Sequence, residues 1–207
     1  PLLRWRLGGA DVDRIGHIAR PLPAGAVPAG GGTVVPGTFA RPDTRNMWAV
    51  AADGRVVIAV FEPYHVEVIL PSGERLAGPV IPHERVAVND SVKRAFLAER
   101  RATRDGIVID RSGSTSRIRA PAPAISPASI TWAAVVPPFR GDAFVEFAPD
   151  GNLWIQRTTF GREGARYDLI GADGALVDRV RLPEGHRVVG FGRTDMYVVR
   201  RDADDLE

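Results

Sequence analysis

The chain contains no cysteine. A disulfide framework and any thiolate metal site are therefore excluded. Lysine is nearly absent as well: Lys93 stands alone among 27 basic residues, so the remaining 26 are arginine. Long apolar runs are missing, and none approaches the roughly 18 residues that a membrane-spanning helix needs. The opening residues do not form a charged and apolar leader with a small-residue cleavage site, so no signal peptide is read from them.

What is present describes a globular chain. Of 207 residues, 44% are apolar and 25% charged, close to the average for soluble domains. A chain of this length buries a sizeable core, which argues against general disorder. The expectation is a single domain over 1–207, interrupted by an insertion at 83–139. Pro1 replaces an initiator methionine, the chain opens within a strand, and Asp204-Asp205-Leu206-Glu207 carries no terminator. These features are read as a processed or partial chain whose true ends lie outside the sequence.

The formal net charge is +2. The isoelectric point near 9.5 overstates the basic character, because arginine barely titrates below pH 12 and a small excess shifts the value far upward. The arginines are also dispersed. Their densest groups are Arg94, Arg100, Arg101 and Arg104, then Arg111, Arg117 and Arg119. Nucleic-acid binders gather such charge on one face, so no nucleic-acid partner is expected.

Internal repetition dominates the pattern. Trp48-Ala-Val-Ala-Ala-Asp-Gly-Arg-Val-Val-Ile-Ala aligns with Val145-Glu-Phe-Ala-Pro-Asp-Gly-Asn-Leu-Trp-Ile-Gln. Each reads as a strand, an Asp-Gly turn and a second strand; the dipeptide predicts a two-residue hairpin with positive φ at both turn positions. Each segment continues alike. His65-Val-Glu-Val-Ile-Leu, Pro71-Ser72-Gly73 and Glu74-Arg-Leu-Ala follow the first. Arg166-Tyr-Asp-Leu-Ile, Ala172-Asp173-Gly174 and Ala175-Leu-Val-Asp-Arg-Val follow the second. Two units of four antiparallel strands result.

Half units flank them. Leu3-Arg-Trp-Arg-Leu with Val12-Asp13-Arg14-Ile15 resembles the last two strands of a unit, the latter mirroring Val177-Asp178-Arg179-Val180. Val188-Val-Gly-Phe with Met196-Tyr-Val-Val resembles the first two, with Arg193-Thr194-Asp195 at the turn. Four-stranded units of about 40 residues are the signature of propeller blades. The expected fold is all-β: a β-propeller-like array of four-stranded antiparallel blades, an incomplete ring in this chain, with one inserted short helix. A meandering β-sandwich is the alternative.

Two stretches break the repeat. Glycines and prolines disfavour regular structure over 19–46, which reads as a long loop. Within 83–139, Asn89 or Asp90 predicts a helix cap and Ser91 through Arg101 an amphipathic helix, with Val92, Phe96 and Leu97 on one side. Gly106-Ile-Val-Ile-Asp reads as a short strand, Pro121, Pro123 and Pro127 as an extended linker, and Trp132-Ala-Ala-Val-Val as a strand re-entering the array. Insertions on rigid repeats often carry binding function, so Arg94, Arg100, Arg101 and Arg104 form the candidate binding surface. The helix could equally plug a channel or cover a sheet edge.

Catalytic signatures are scarce. His17, His65, His83 and His186 include no pair at helical zinc spacing. A propeller channel can gather His and acidic groups around a divalent cation; Glu62, His65, His83 and Glu146 are the candidate ligands. There is no nucleophile elbow, P-loop or dinucleotide fingerprint. Ser112, Ser114 and Ser116 have no nearby histidine to activate them. Trp5, Trp48, Trp132 and Trp154 fall in predicted strands, where aromatics pack between sheets.

The segments around Asp53-Gly54-Arg55 and Pro149-Asp150-Gly151-Asn152, with Trp154, resemble six-bladed bacterial propellers of the NHL and TolB-like kind. Tyr64-His-Val-Glu-Val-Ile through Gly78-Pro79, and Arg187-Val-Val-Gly-Phe-Gly-Arg through Tyr197-Val-Val, are similar to uncharacterised members of that group. The resemblance covers about half the chain. It implies a fold rather than a reaction, since these motifs set turns and the group includes binding scaffolds as well as lactone hydrolases and lyases. The sequence departs from the group by its insertion and its shortage of blades.

Too few blades leave open edges that promote association. The expected function is therefore a non-catalytic binding or scaffolding module, an accessory subunit on a larger assembly that could be membrane-bound, with no cofactor. Arginine suits such docking through bidentate pairing with carboxylates. A periplasmic or membrane-associated setting is expected. The alternative is a hydrolase or lyase with a divalent metal in the channel.

Overall fold

In the computed structural model of the protein, residues 2–5, 12–16, 46–104, 132–141, 143–160 and 163–200 are described. The strands run β1 (Leu2–Trp5), β2 (Val12–Gly16), β3 (Met47–Val50), β4 (Val56–Val60), β5 (His65–Ile69) and β6 (Arg75–Ala77). After the helix α1 (Asp90–Arg104) come β7 (Val145–Phe147), β8 (Leu153–Gln156), β9 (Arg166–Ile170), β10 (Leu176–Arg181), β11 (His186–Phe191) and β12 (Met196–Arg200). The chain is mostly β. β3-β4-β5-β6 and β7-β8-β9-β10 form four-stranded antiparallel meanders, while β1-β2 and β11-β12 form two-stranded ribbons. Among the described residues no closed ring of sheets is found.

The hairpins follow one rule. Gly54 donates to the Ala51 carbonyl and Ala51 to the Arg55 carbonyl; the same pair of bonds closes Leu70–Glu74, Ala148–Asn152 and Gly171–Ala175. These are three-residue loops in which a turn is followed by a left-handed glycine, with φ of 87° at Gly54 and 84° at Gly151. The expected two-residue turn is thereby corrected. Glycine alone takes positive φ, and Asp53 and Asp150 use their carboxylates instead. Each accepts the amide of the residue two positions on, Arg55 and Asn152, at 3.0 Å. That bond holds the Asp53 carboxyl below its usual range. An aspartate in such a turn supplies the acceptor that the ladder no longer offers.

Strand alternation gives each sheet two faces. One face of the first meander, with Val57, Ala59, Val66 and Val68, packs against Leu153, Ile155 and Ile170 of the second. The opposite face of the second meander, with Trp154, Tyr167 and Leu169, packs against Val188 and Phe191 of the β11-β12 ribbon. The sheets thus stack in chain order, with equivalent residues facing forward and backward each time. Val56, Ile58 and Ile69 form a separate buried cluster on the backward face of the first meander. The two meanders also meet backbone to backbone: a Cβ on Gly78 would lie 2.5 Å from the Gly174 carbonyl oxygen.

Several expectations are corrected in the insertion. The helix is longer than read, Asp90–Arg104 rather than Ser91 through Arg101. Asn89 caps it, its Oδ1 accepting the Val92 amide at 3.0 Å. Trp132 through Val136 form no strand; a single antiparallel bridge joins Val135 to Ala87. Pro137 and Pro138 lack the amide donors needed to extend a ladder. The helix docks by its apolar side, with Phe96 and Leu97 buried against Trp132 and Phe160. The predicted strand at 106–110, the proline linker and the loop at 19–46 (apart from Asn46) lie outside the described residues. No described helix is long and apolar enough to cross a membrane.

Candidate functional site

Asp168 is the one buried charged residue among the described residues, fully shielded at the centre of β9. Its neighbours alternate around it, so its side chain points back toward the first meander. Three donors meet it there. Tyr64 Oη donates to Oδ2 at 3.0 Å, Arg157 Nη1 to Oδ2 at 2.8 Å, and Arg179 Nε to Oδ1 at 3.1 Å. A buried carboxylate requires such pairing, because desolvation would otherwise force it to take up a proton.

The arginines reach further. Arg157 Nε donates to the Pro138 carbonyl at 2.8 Å, and Arg179 donates to the Pro82 carbonyl. Pro82 immediately precedes the insertion and Pro138 lies at its far end, so Asp168 ties both insertion ends to the stacked sheets. The Arg157 guanidinium lies 5.3 Å from the Tyr64 ring centroid. Tyr64 also meets His83 edge-on at 5.7 Å and Phe139 at 5.6 Å. Burial, then the Asp168 charge, push the Tyr64 hydroxyl well above its ordinary range, so it remains a neutral donor. Both Asp168 oxygens are occupied by donors. The chemistry that this cluster shows is cohesion: three donors hold the buried carboxylate between the sheets and the insertion ends.

Openings adjoin the sheets among the described residues. A cavity of about 160 Å³ lies between α1 and the second meander, lined by Glu99, Arg140, Gln156, Arg157 and Thr159 among others. Arg140 pairs with Glu99 at 2.8 Å there. A shallower groove of about 540 Å³ runs along the ends of β3, β7 and β11, where Asp53, Arg55, Glu146, Phe147 and Phe191 come together. Arg55 lies over the Phe147 ring at 5.9 Å.

The sequence candidates fall as follows. Glu62 pairs with Arg85 at 3.6 Å, His65 lies 3.8 Å from Glu67, His83 rests against Tyr64, and Glu146 lines the groove. Among the described residues no three His, Asp or Glu side chains form a group able to hold a metal ion. Arg94 is exposed on α1, its Nε donating to the Asp90 carbonyl at 3.2 Å. Arg100, Arg101 and Arg104 lie on the last turns of the same helix, and their side chains are outside the described set. Trp154 is buried as expected, whereas Trp48 is 51% exposed and Trp132 is not in a strand.

The Asp168 cluster was not anticipated. Its signal was a carboxylate between Tyr167 and Leu169, in a strand that is otherwise apolar after Arg166. Its partners lie 11 and 104 residues away in sequence, so spacing alone could not join them.

No family model, curated protein or solved structure matches the chain.

Proposed function

We propose that the chain is a non-catalytic binding and scaffolding module: a propeller-like array of four-stranded blades that docks as an accessory part of a larger protein assembly. One observation carries this reading. Tyr197 in β12 holds the same register position as Trp154 in β8: each is paired one residue before the end of the preceding strand, with Gly190 and Glu146 respectively. Trp154 is 9% exposed because the next sheet covers it, whereas Tyr197 is 57% exposed. Val189 beside it is also exposed. The position is built for burial, and exposed apolar strips of this kind mark interaction surfaces.

The interior supports the same reading. The buried carboxylate is held by Tyr64, Arg157 and Arg179, which suits a rigid scaffold. Native mass spectrometry of the protein from its source tests the proposal. The expected result is a stoichiometric complex that Tyr197→Glu dissociates. A lone chain without a protein partner would overturn the reading.

A further inference from the structure

The second meander carries a row of arginines that the stacking of the sheets does not require. We propose that this row, centred on Arg166 and Arg181, is a docking surface for an acidic, carboxylate-bearing segment of a protein partner. This rests on the docking reading above and names the chemistry of the partner.

The register builds the row. Arg181 in β10 stands directly opposite Arg166 in β9. On the other side of Arg166, its carbonyl accepts the Arg157 amide at 2.8 Å. Opposite residues of antiparallel strands share a face, with Cβ atoms about 4.5–5.5 Å apart. Asp168, two positions after Arg166, lies on that face by alternation. The bonds of Arg157 and Arg179 to Asp168 place both arginines there as well. Four guanidinium groups that are dispersed in the sequence are thus gathered across neighbouring strands.

The charges of the row do not balance. Asp168 is fully buried and already holds Arg157 and Arg179. Glu163 pairs with Arg166 at 3.1 Å, both side chains about half exposed. Arg181 is exposed and has no ion-pair partner among the described residues. Set against these two carboxylates, the four cations leave an excess of two positive charges.

The fold does not need this arrangement. In the first meander β6 ends at Ala77, opposite Glu67, and no strand residue stands opposite His65, the counterpart of Arg166. β10 instead runs on to Arg181. Like charges directly opposite one another weaken a sheet. Edge protection does not account for the choice. β10 is an edge strand, which a charge of either sign protects, and a glutamate at 181 would do so while pairing with Arg166. A local rule broken in this way marks a functional site.

A protein carboxylate fits the row best. The guanidinium fork takes a carboxylate bidentately, and arginine is enriched at protein interfaces. The side chains of Arg166 and Arg179 are 48% and 52% exposed. Neither the cavity nor the groove described above is lined by Arg166, Arg179 or Arg181, whereas small-molecule sites are concave. A nucleic acid calls for a more extended basic face. An open patch with an excess of two charges suits neighbouring acidic side chains on a protein surface.

Arg181→Glu turns the opposed cations into an ion pair, so this variant should unfold at no lower temperature than the unmodified chain. A fluorescent poly-glutamate peptide at low salt is the binding probe. The expected result is saturable binding to the unmodified chain and about tenfold weaker binding to Arg181→Glu. Arg181→Ala, which removes the charge without reversing it, should weaken binding too. Equal affinity for all three proteins, no binding to the unmodified chain, or failure of Arg181→Glu to fold overturns the proposal. Tighter binding of inorganic phosphate or of a short oligonucleotide at the same arginines overturns the assignment to a protein segment. Native mass spectrometry of the protein from its source separates this inference from the docking reading. A partner lost from Arg181→Glu supports both. No partner on the unmodified protein overturns both, and a partner that leaves Tyr197→Glu but stays on Arg181→Glu overturns this inference alone.

Discussion

The rings of Trp154 and Phe191 lie 5.3 Å apart, tilted by 59°, and join the second meander to the ribbon that follows it. The contact is one step of a repeated stack, in which each sheet presents a residue of its second strand to the first strand of the next. That regularity gives the exposure of Tyr197 its meaning. Trp154→Ala should destabilise the fold by about 3–5 kcal/mol, the range for large aromatic truncations in cores. Tyr197→Ala, at the same register position, should change the stability of the dissociated chain by no more than about 0.5 kcal/mol. Urea unfolding at low protein concentration checks both, and equal costs would refute the difference in packing.

Asp168 should be as sensitive as any core residue. Removing one partner of a buried ion pair costs about 3–5 kcal/mol because the other charges are left uncompensated. Asp168→Ala should therefore unfold the chain at markedly lower urea than Glu67→Ala. Glu67 occupies the equivalent position in β5 and pairs with Arg75, but its side chain stays partly in solvent. Similar midpoints for the two variants would contradict the buried cluster.

Alkaline pH should weaken the fold in a defined way. The folded Tyr64 hydroxyl is raised above its ordinary value of 10 by burial and by Asp168, and that of Tyr167 is raised by burial. The unfolded chain releases these protons above about pH 10 while the folded chain keeps them. Their contribution is thus fully present below pH 10 and lost as pH rises beyond it, by up to about 1.4 kcal/mol per pH unit for each group. Tyr64→Phe should flatten the slope of stability against pH above 10. An unchanged slope would place the titration elsewhere.

The stacking of the meanders predicts an asymmetry between two glycines. A Cβ at Gly151 meets nothing within 4 Å, but its φ is +84°, so Gly151→Ala should cost about 1–2 kcal/mol from backbone strain. At Gly78 a Cβ would strike the Gly174 backbone at 2.5 Å, and backbone cannot swing aside as a side chain can. Gly78→Ala should cost about 3 kcal/mol, at the upper end for overpacking. The reverse order in thermal unfolding would argue against the close approach of the two sheets.

Much of the strand order was legible in the chain because its determinants are local. Asp53-Gly54 and Asp150-Gly151 mark hairpins, since glycine alone enters the left-handed region cheaply. The loop type was misread because an aspartate carboxylate can satisfy the next free amide without itself adopting positive φ. Trp132 through Val136 looked like a strand from residue type, yet strand formation needs a partner ladder, and the chain offers one bridge at Ala87. The Asp168 cluster was invisible for a different reason: Tyr64, Arg157 and Arg179 converge only once the sheets have stacked. The exposed face of the β11-β12 ribbon was foreshadowed by its half unit, but the equivalence of Tyr197 with Trp154 required the register.

The most direct test of the docking reading is native mass spectrometry of the protein from its source beside its Tyr197→Glu variant. The account predicts a stoichiometric protein partner on the former and a folded protein without that partner for the latter. A free protein in both samples, with the fold intact, would contradict it.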